Sequence, residues 1–197
     1  FVERLREELR RCEPLIDTPY CTLRDAGLTA AGKAYVVVDR PQGTPIAAQV
    51  REEGRFSIDR ALSIAIQLCD LARRGHAAGI RPVPITPDNL VTHPLSGGRH
   101  RLSLVDLAMH RGAYRGAVHV PPRQVRWEAP QVAAGEEPDV RDEVFAVAAL
   151  VHFMVFGVAP PIMAHHGPAD GSGWPLLPED ERGLDRRLEA CLHTLLL

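Results

Sequence analysis

The stretch that most constrains the fold lies between residues 79 and 108, GIRPVPITPDNLVTHPLSGGRHRLSLVDLA. Gly79 closes a long helical pattern that starts at Ser57, a residue suited to accept from the first free N–H groups of a helix. Ile58, Leu62, Ala65, Ile66, Cys69 and Ala72 recur on one face of that helix, which predicts a core helix packing through them. A Pro-rich loop follows, Asn89-Leu90-Val91 leads into a turn at Ser96-Gly97-Gly98, and Leu102 to Val105 reads as a short strand stopped by Asp106. The order is helix, loop, hairpin, acidic turn.

Other segments fit around this frame. Phe1, Leu5, Leu9 and Cys12 fall on one face of an opening amphipathic helix, with Glu7, Glu8, Arg10 and Arg11 largely away from it. Thr22 to Asp25 and Ala34 to Asp39 read as antiparallel strands about a turn region at Gly27 to Gly32. Val144 to Phe156 is the most apolar run; ended by Gly157 and two prolines, it is too short to span a bilayer and reads as a buried helix.

Composition narrows the function classes. A length of 197 residues suits one domain, or one and a half, with a sizeable core. The formal net charge of -2, with signs interspersed, gives neither a nucleic-acid footprint nor a polybasic membrane anchor. Cys12, Cys21, Cys69 and Cys191 lie far apart without a CxxC pair, which argues against zinc and against a disulfide framework, and sets a cytoplasmic location as the expectation. His165-His166 lacks Cys, Asp or Glu at ligand spacing, so no metal is expected there. The charged opening FVERLREELRRC does not read as a signal peptide.

The central stretch resembles the catalytic loop and metal-binding turn of bacterial Ser/Thr protein kinases, H-R-D-L-K-P-x-N followed by D-F-G. Aligned on Pro87-Asp88-Asn89, the family's His, Arg and Asp become Pro82, Val83 and Pro84, and its Lys becomes Thr86. The loop Asp accepts the proton of the substrate hydroxyl, which the side chain of Pro84 cannot do. Asn89 and Asp106 match the two metal ligands, and Ala108 stands where D-F-G has its glycine. The resemblance continues on both sides. Leu71 to Ile80 is similar to the helix ending L-x-x-A-H-x-x-G-I, and Tyr35 to Pro41 resembles the hinge, with Pro41 where a backbone N–H would meet adenine. Trp127 to Gln131 resembles Y-x-A-P-E with Gln131 for the Glu, and Arg141 to Ala148 resembles R-S-D-V-F-S-L-G with Glu143 for the Asp that caps the catalytic loop. Leu184 to Leu192 is similar to a later large-lobe helix, and Glu8 matches the acid of the small-lobe helix, whose partner Lys is absent.

The resemblance implies an α+β, protein kinase-like fold with a truncated small lobe (residues 1–43, one helix, two strands and the hinge) and a mainly helical large lobe (44–197). The chain is then either a piece of a longer protein or short of half its small lobe. Without the phosphate loop, and with no Ser or Thr between Leu107 and Gln131, the implied function is a pseudokinase: not an enzyme, without cofactor, a regulatory or scaffolding protein-binding module. Its partner, or a second copy, would cover the face of the first helix. The alternative is a divergent nucleotide-dependent transferase using Asn89 and Asp106 for its metal.

Overall fold

The computed structural model describes residues 23–77, 79, 85–105, 127–134, 136, 139–160, 163–164, 167–168, 187–188, 190–192 and 194–195. The first helix with Glu8, and Pro84, Asp106 and Ala108, lie outside the described residues. Strands β1 (Leu23–Leu28) and β2 (Ala34–Val38) form the expected antiparallel hairpin, except that β1 runs on through Gly27 and Leu28, which the sequence placed in the turn. Gly27 sits opposite Tyr35, and a Cβ on it would come within 2.7 Å of the Tyr35 Oη, so the missing side chain is what lets the ring lie across the strand. The Tyr35 hydroxyl then donates to Asp25 at 3.2 Å.

A second sheet runs in the order β3 (Thr44–Pro45), β4 (Leu90–Pro94), β5 (His100–Leu104), antiparallel throughout. The turn at Ser96–Gly98 joins β4 to β5, and the positive φ of 74° at Gly97 and 72° at Gly98 explains the glycine pair. Ahead of β3, Gly43 has φ 119°, and a Cβ there would lie 2.4 Å from the Thr92 carbonyl oxygen. Only glycine lets the segment after Pro41 approach β4 this closely.

Helix α1 (Ile46–Glu53) leads through Phe56 to α2 (Ile58–Ala77), where the Ser57 carbonyl receives Ala61 N–H at 3.0 Å and its hydroxyl receives Arg60 N–H at 3.4 Å. The short α3 (Pro130–Ala133) precedes α4 (Val140–Phe156). Asp139 caps α4, accepting from Arg141 N–H at 2.7 Å, while Asp142 reaches back to the Asp139 N–H. Gly157, at φ 74°, ends it by donating to the Phe153 carbonyl. Two strands of two residues, β6 (Met163–Ala164) and β7 (Gly167–Pro168), follow.

The core sits where α2 and α4 pack together and close over the second sheet. Ile64, Leu68 and Leu71 of α2, Leu150 and Met154 of α4, and Leu90, Leu102 and Leu104 of the strands are all essentially inaccessible. Each such side chain contributes about 1.5–3 kcal/mol through removal from water. The buried face of α2 matches the predicted one only in part: Ala72 is buried and Ile58 and Ala65 pack against the core. Ala61, Ile64, Leu68, Leu71, Ala72 and Gly75 face the core, whereas Leu62, Ile66 and Cys69 face solvent, Ile66 at 71% exposure. Two apolar stripes run along this helix, and periodicity alone does not choose between them.

Candidate functional site

The geometry of interest is set by how α2 stops. Gly79, at φ 74°, donates its N–H to the His76 carbonyl at 3.0 Å, the left-handed stop expected of glycine. When the chain re-enters the described residues at Ile85, it makes a tight turn. Asn89 Oδ1 accepts from the Thr86 N–H at 2.9 Å, and the Asn89 N–H is directed at both the Thr86 carbonyl (3.3 Å) and hydroxyl (3.4 Å). Thr86 and Asn89 are buried, and Asp88 is turned outward between them. Backbone bonds fix this turn from both sides: Ala47 N–H donates to the Pro87 carbonyl at 2.9 Å, and Val105 N–H to the Asn89 carbonyl at 2.8 Å. Asn89 therefore ties the loop to the residue that precedes Asp106.

Below the loop, Glu143 is 4% exposed, and its Oε2 lies 2.5 Å from His76 Nε2. The sequence suggested that Glu143 supports the loop backbone. Among the described residues Glu143 meets the last turn of α2 through His76, and the loop residues 80–84 lie outside the described residues. At the other end, Gln131 Nε2 donates to Asp142 Oδ1 at 2.5 Å. A glutamate in that place would set two carboxylates against each other, whereas the amide supplies the donor that Asp142 accepts. Nothing in the local sequence announces this pair.

The turn, α1 and α4 surround an open pocket of about 400 Å³, lined by Ala47, Val50, Arg51, Pro87, Asp88, Trp127, Phe153, Gly157 and Ala159. Its base is apolar, with Trp127 edge-on to Phe153 at 5.4 Å, and Arg51 and Asp88, both exposed, bring opposite charges to its lining. Behind it, His152 is 1% exposed and stacks on Phe156 at 4.5 Å. Burial pushes its pKa down to about 4, partly offset by a backbone hydrogen bond involving Val158, so the ring is neutral at pH 7.

A buried polar network that the sequence did not signal braces α1. Gln49 Nε2 donates to the Thr44 carbonyl at 2.6 Å and to Thr92 Oγ1 at 2.7 Å, and its Oε1 accepts from Arg60. Arg60 also meets Glu53 at 2.5 Å and lies 3.6 Å from the centre of the Phe56 ring. Nearby, Gln67 donates to the His100 carbonyl at 2.9 Å and accepts from Leu102 N–H at 3.1 Å, so one amide substitutes for a strand along β5.

Pro41 is half-buried and offers no backbone N–H. Among the described residues no group of three or more His, Cys, Asp or Glu could hold a metal ion, and no helix is long and apolar enough to cross a membrane.

No protein-family model matches the chain. It is 24% identical over 168 residues to a probable serine/threonine-protein kinase of Corynebacterium efficiens, covering 81% of this chain and 25% of the relative. The probable serine/threonine-protein kinase PknB of Corynebacterium glutamicum is 23% identical over 168 residues, with the same shares. The serine/threonine-protein kinase PknA of Mycobacterium tuberculosis is 23% identical over 167 residues, 81% of this chain and 38% of the relative. The chain is distantly similar to bacterial Ser/Thr protein kinases. It spans only about a quarter of the length of the first two relatives. The observed mixture of helix and sheet agrees with a kinase-like fold. One expectation is overturned. The substitutions in the loop predict a protein that is not an enzyme, yet these relatives are named as kinases, which points to an enzyme.

Proposed function

We propose that the chain is a kinase-like domain that binds a protein partner, in a regulatory or scaffolding role, through the pocket between α1, the 85–89 turn and α4. The observation that carries this reading is the pocket itself: an apolar base of Val50, Trp127 and Phe153 beside Arg51 and Asp88. Such a site suits one apolar side chain of a peptide with charged neighbours. The turn beside it is held by four backbone and side-chain bonds, so little ordering is left for binding to bring about. In this proposal residues 1–43 form a partial small lobe and 44–197 the large lobe. The close approach of Gly43 to Thr92, together with the separation of the β1–β2 hairpin from the second sheet, supports a boundary there.

A positionally randomised peptide library displayed on phage tests the reading. Selection should enrich peptides with an apolar anchor. Exchanging the exposed charges, Arg51→Glu or Asp88→Arg, should weaken the enriched peptides by about tenfold while the melting temperature holds, as charge placement sets specificity. No enrichment, or enriched peptides indifferent to both changes, would remove the pocket from the proposal.

The relatives' names favour a second reading, a divergent nucleotide-dependent transferase in which Asn89 and Asp106 hold the metal. Asn89 stands at the turn in the required order, but its Oδ1 already accepts from Thr86, and Pro41 withholds the adenine donor. In this reading the nucleotide would be held chiefly through its phosphates and metal. A saturable rise in melting temperature with Mg²⁺ and ATP, lost in Asn89→Leu, would bring it forward.

A further inference from the structure

The outer stripe of α2 has a regular plan. Asp59, Leu62, Ile66, Cys69 and Arg73 are spaced alternately three and four residues apart, and all five are exposed. This is the spacing of a seam along which one helix packs against another. Its centre is apolar and its two ends carry opposite charges. The stripe is balanced about Ile66, with Asp59 seven residues before it and Arg73 seven after. Ile66 is also the most exposed of the large apolar residues described, at 71%.

We propose that this seam pairs with the same seam of a second copy, antiparallel, about a two-fold axis at Ile66. In that arrangement Ile66 meets Ile66 of the second copy, Leu62 packs near Cys69, and Asp59 faces Arg73 at both ends. A parallel pairing would put Asp59 against Asp59 and Arg73 against Arg73, so the charges select the antiparallel register. An isologous contact of this kind closes on itself and gives a dimer rather than a fibre. Arg73 already contacts Asp70 of its own helix at 2.7 Å, and both side chains are substantially exposed. An exposed pair of this sort is weak, so Arg73 can turn to Asp59 of the second copy at little cost. The other polar groups beside the seam, Ser63 and Asp70, lie toward its edge. One helical seam covers less than about 1,200 Å², the low end of specific interfaces, so the association is weak and concentration-dependent.

Sedimentation velocity of the chain under reducing conditions, from about 10 µM to about 1 mM, spans the affinities expected of so small a contact. The wild type should pass from monomer to dimer, and Ile66→Asp should remain monomeric throughout. Asp59→Arg alone and Arg73→Asp alone should each weaken the dimer about threefold to thirtyfold, two pairs being lost in each case. The double variant Asp59→Arg with Arg73→Asp should return to within about threefold of the wild type, because the swap restores both pairs. All three positions are at the surface, so circular dichroism should show unchanged folding. A wild type monomeric to the top concentration overturns the proposal, as does a dimer that survives Ile66→Asp. Failure of the double variant to recover overturns the antiparallel pairing.

Discussion

The β1–β2 hairpin and the sheet β3–β4–β5 are both small and antiparallel, yet they are held in opposite ways. The second sheet is built into the core: Leu90, Leu102 and Leu104 are buried, Gln67 occupies the backbone of β5, and Gln49 bonds across to Thr92. The hairpin shows solvent Leu28, Tyr35 and Val37, and its Arg24–Asp39 pair is itself exposed. A two-stranded hairpin alone is marginal in water. The comparison teaches that the α2–α4 core and its sheet should carry the stability of the chain, and that the hairpin should open independently of it.

The largest test of that division is in the core. Leu68 lies at 0% exposure between α2 and α4, so Leu68→Ala leaves a cavity as well as losing buried area. It should cost about 2–5 kcal/mol in urea unfolding, since Leu→Ala changes in such sites do. A loss below about 1 kcal/mol would mean that the core is elsewhere and would break the comparison.

The next concerns His152 on α4. Its folded pKa is about 4, below the usual unfolded value of about 6.5, so between these values the unfolded chain binds the proton more readily. Stability is therefore fully present above about pH 6.5, falls as the pH drops through that window, and levels below about pH 4. The loss from this group is roughly 3 kcal/mol at most. His100, lowered by burial first and then by the nearby Arg60 charge, acts in the same direction. The lowered carboxylates Asp39, Asp70 and Asp139, each held down chiefly by a hydrogen bond from Arg24, Arg73 and Arg141 respectively, act in a separate, more acid window. His152→Gln should flatten the decline between pH 6.5 and 4 in a urea series taken at each pH; an unchanged slope would assign it to other groups.

Much of the scaffold was legible in the sequence, for local reasons. Ser57 and Gly79 bracket α2, Ser96–Gly98 joins β4 to β5, and the apolar run before Gly157 is the buried α4, because caps, turns and glycine stops are written in a few adjacent residues. The order of loop and hairpin was also readable, and with it the likeness to kinases. What escaped is non-local. The inward face of α2 could not be chosen from periodicity, since Ile64, Leu68 and Leu71 form a second apolar stripe beside Leu62 and Ile66. His76 meets Glu143 from 67 residues away and Gln49 meets Thr92 from 43, and neither pair has a local signature. Of the site residues, Thr86 and Asn89 bond to each other in the turn, Gln131 meets Asp142 and Glu143 meets His76 near the start of α4, Pro41 precedes β3, and Glu8, Pro84, Asp106 and Ala108 lie outside the described residues.

The smallest expected effect returns to the hairpin. Arg24 Nε donates to Asp39 Oδ1 at 2.9 Å and its terminal nitrogen to Oδ2 at 2.7 Å, a two-point pair joining the ends of β1 and β2. The geometry is good, but both side chains are in water, where solvent screening and the entropy of holding two long groups cancel most of the attraction. Moreover, α1 and α2 pack against the other sheet and α4 against those two helices, so the described core is built without the hairpin. Arg24→Ala should therefore leave the urea midpoint of the main transition unchanged. Its effect should be local: amides of β1 and β2 should exchange faster with deuterium, while those of α2 and α4 keep their protection. Added salt should erase the difference between the variant and the wild type, because screening removes the same interaction. Loss of protection in α2 together with the hairpin would show that the two regions unfold as one unit, and the contrast between them would fall.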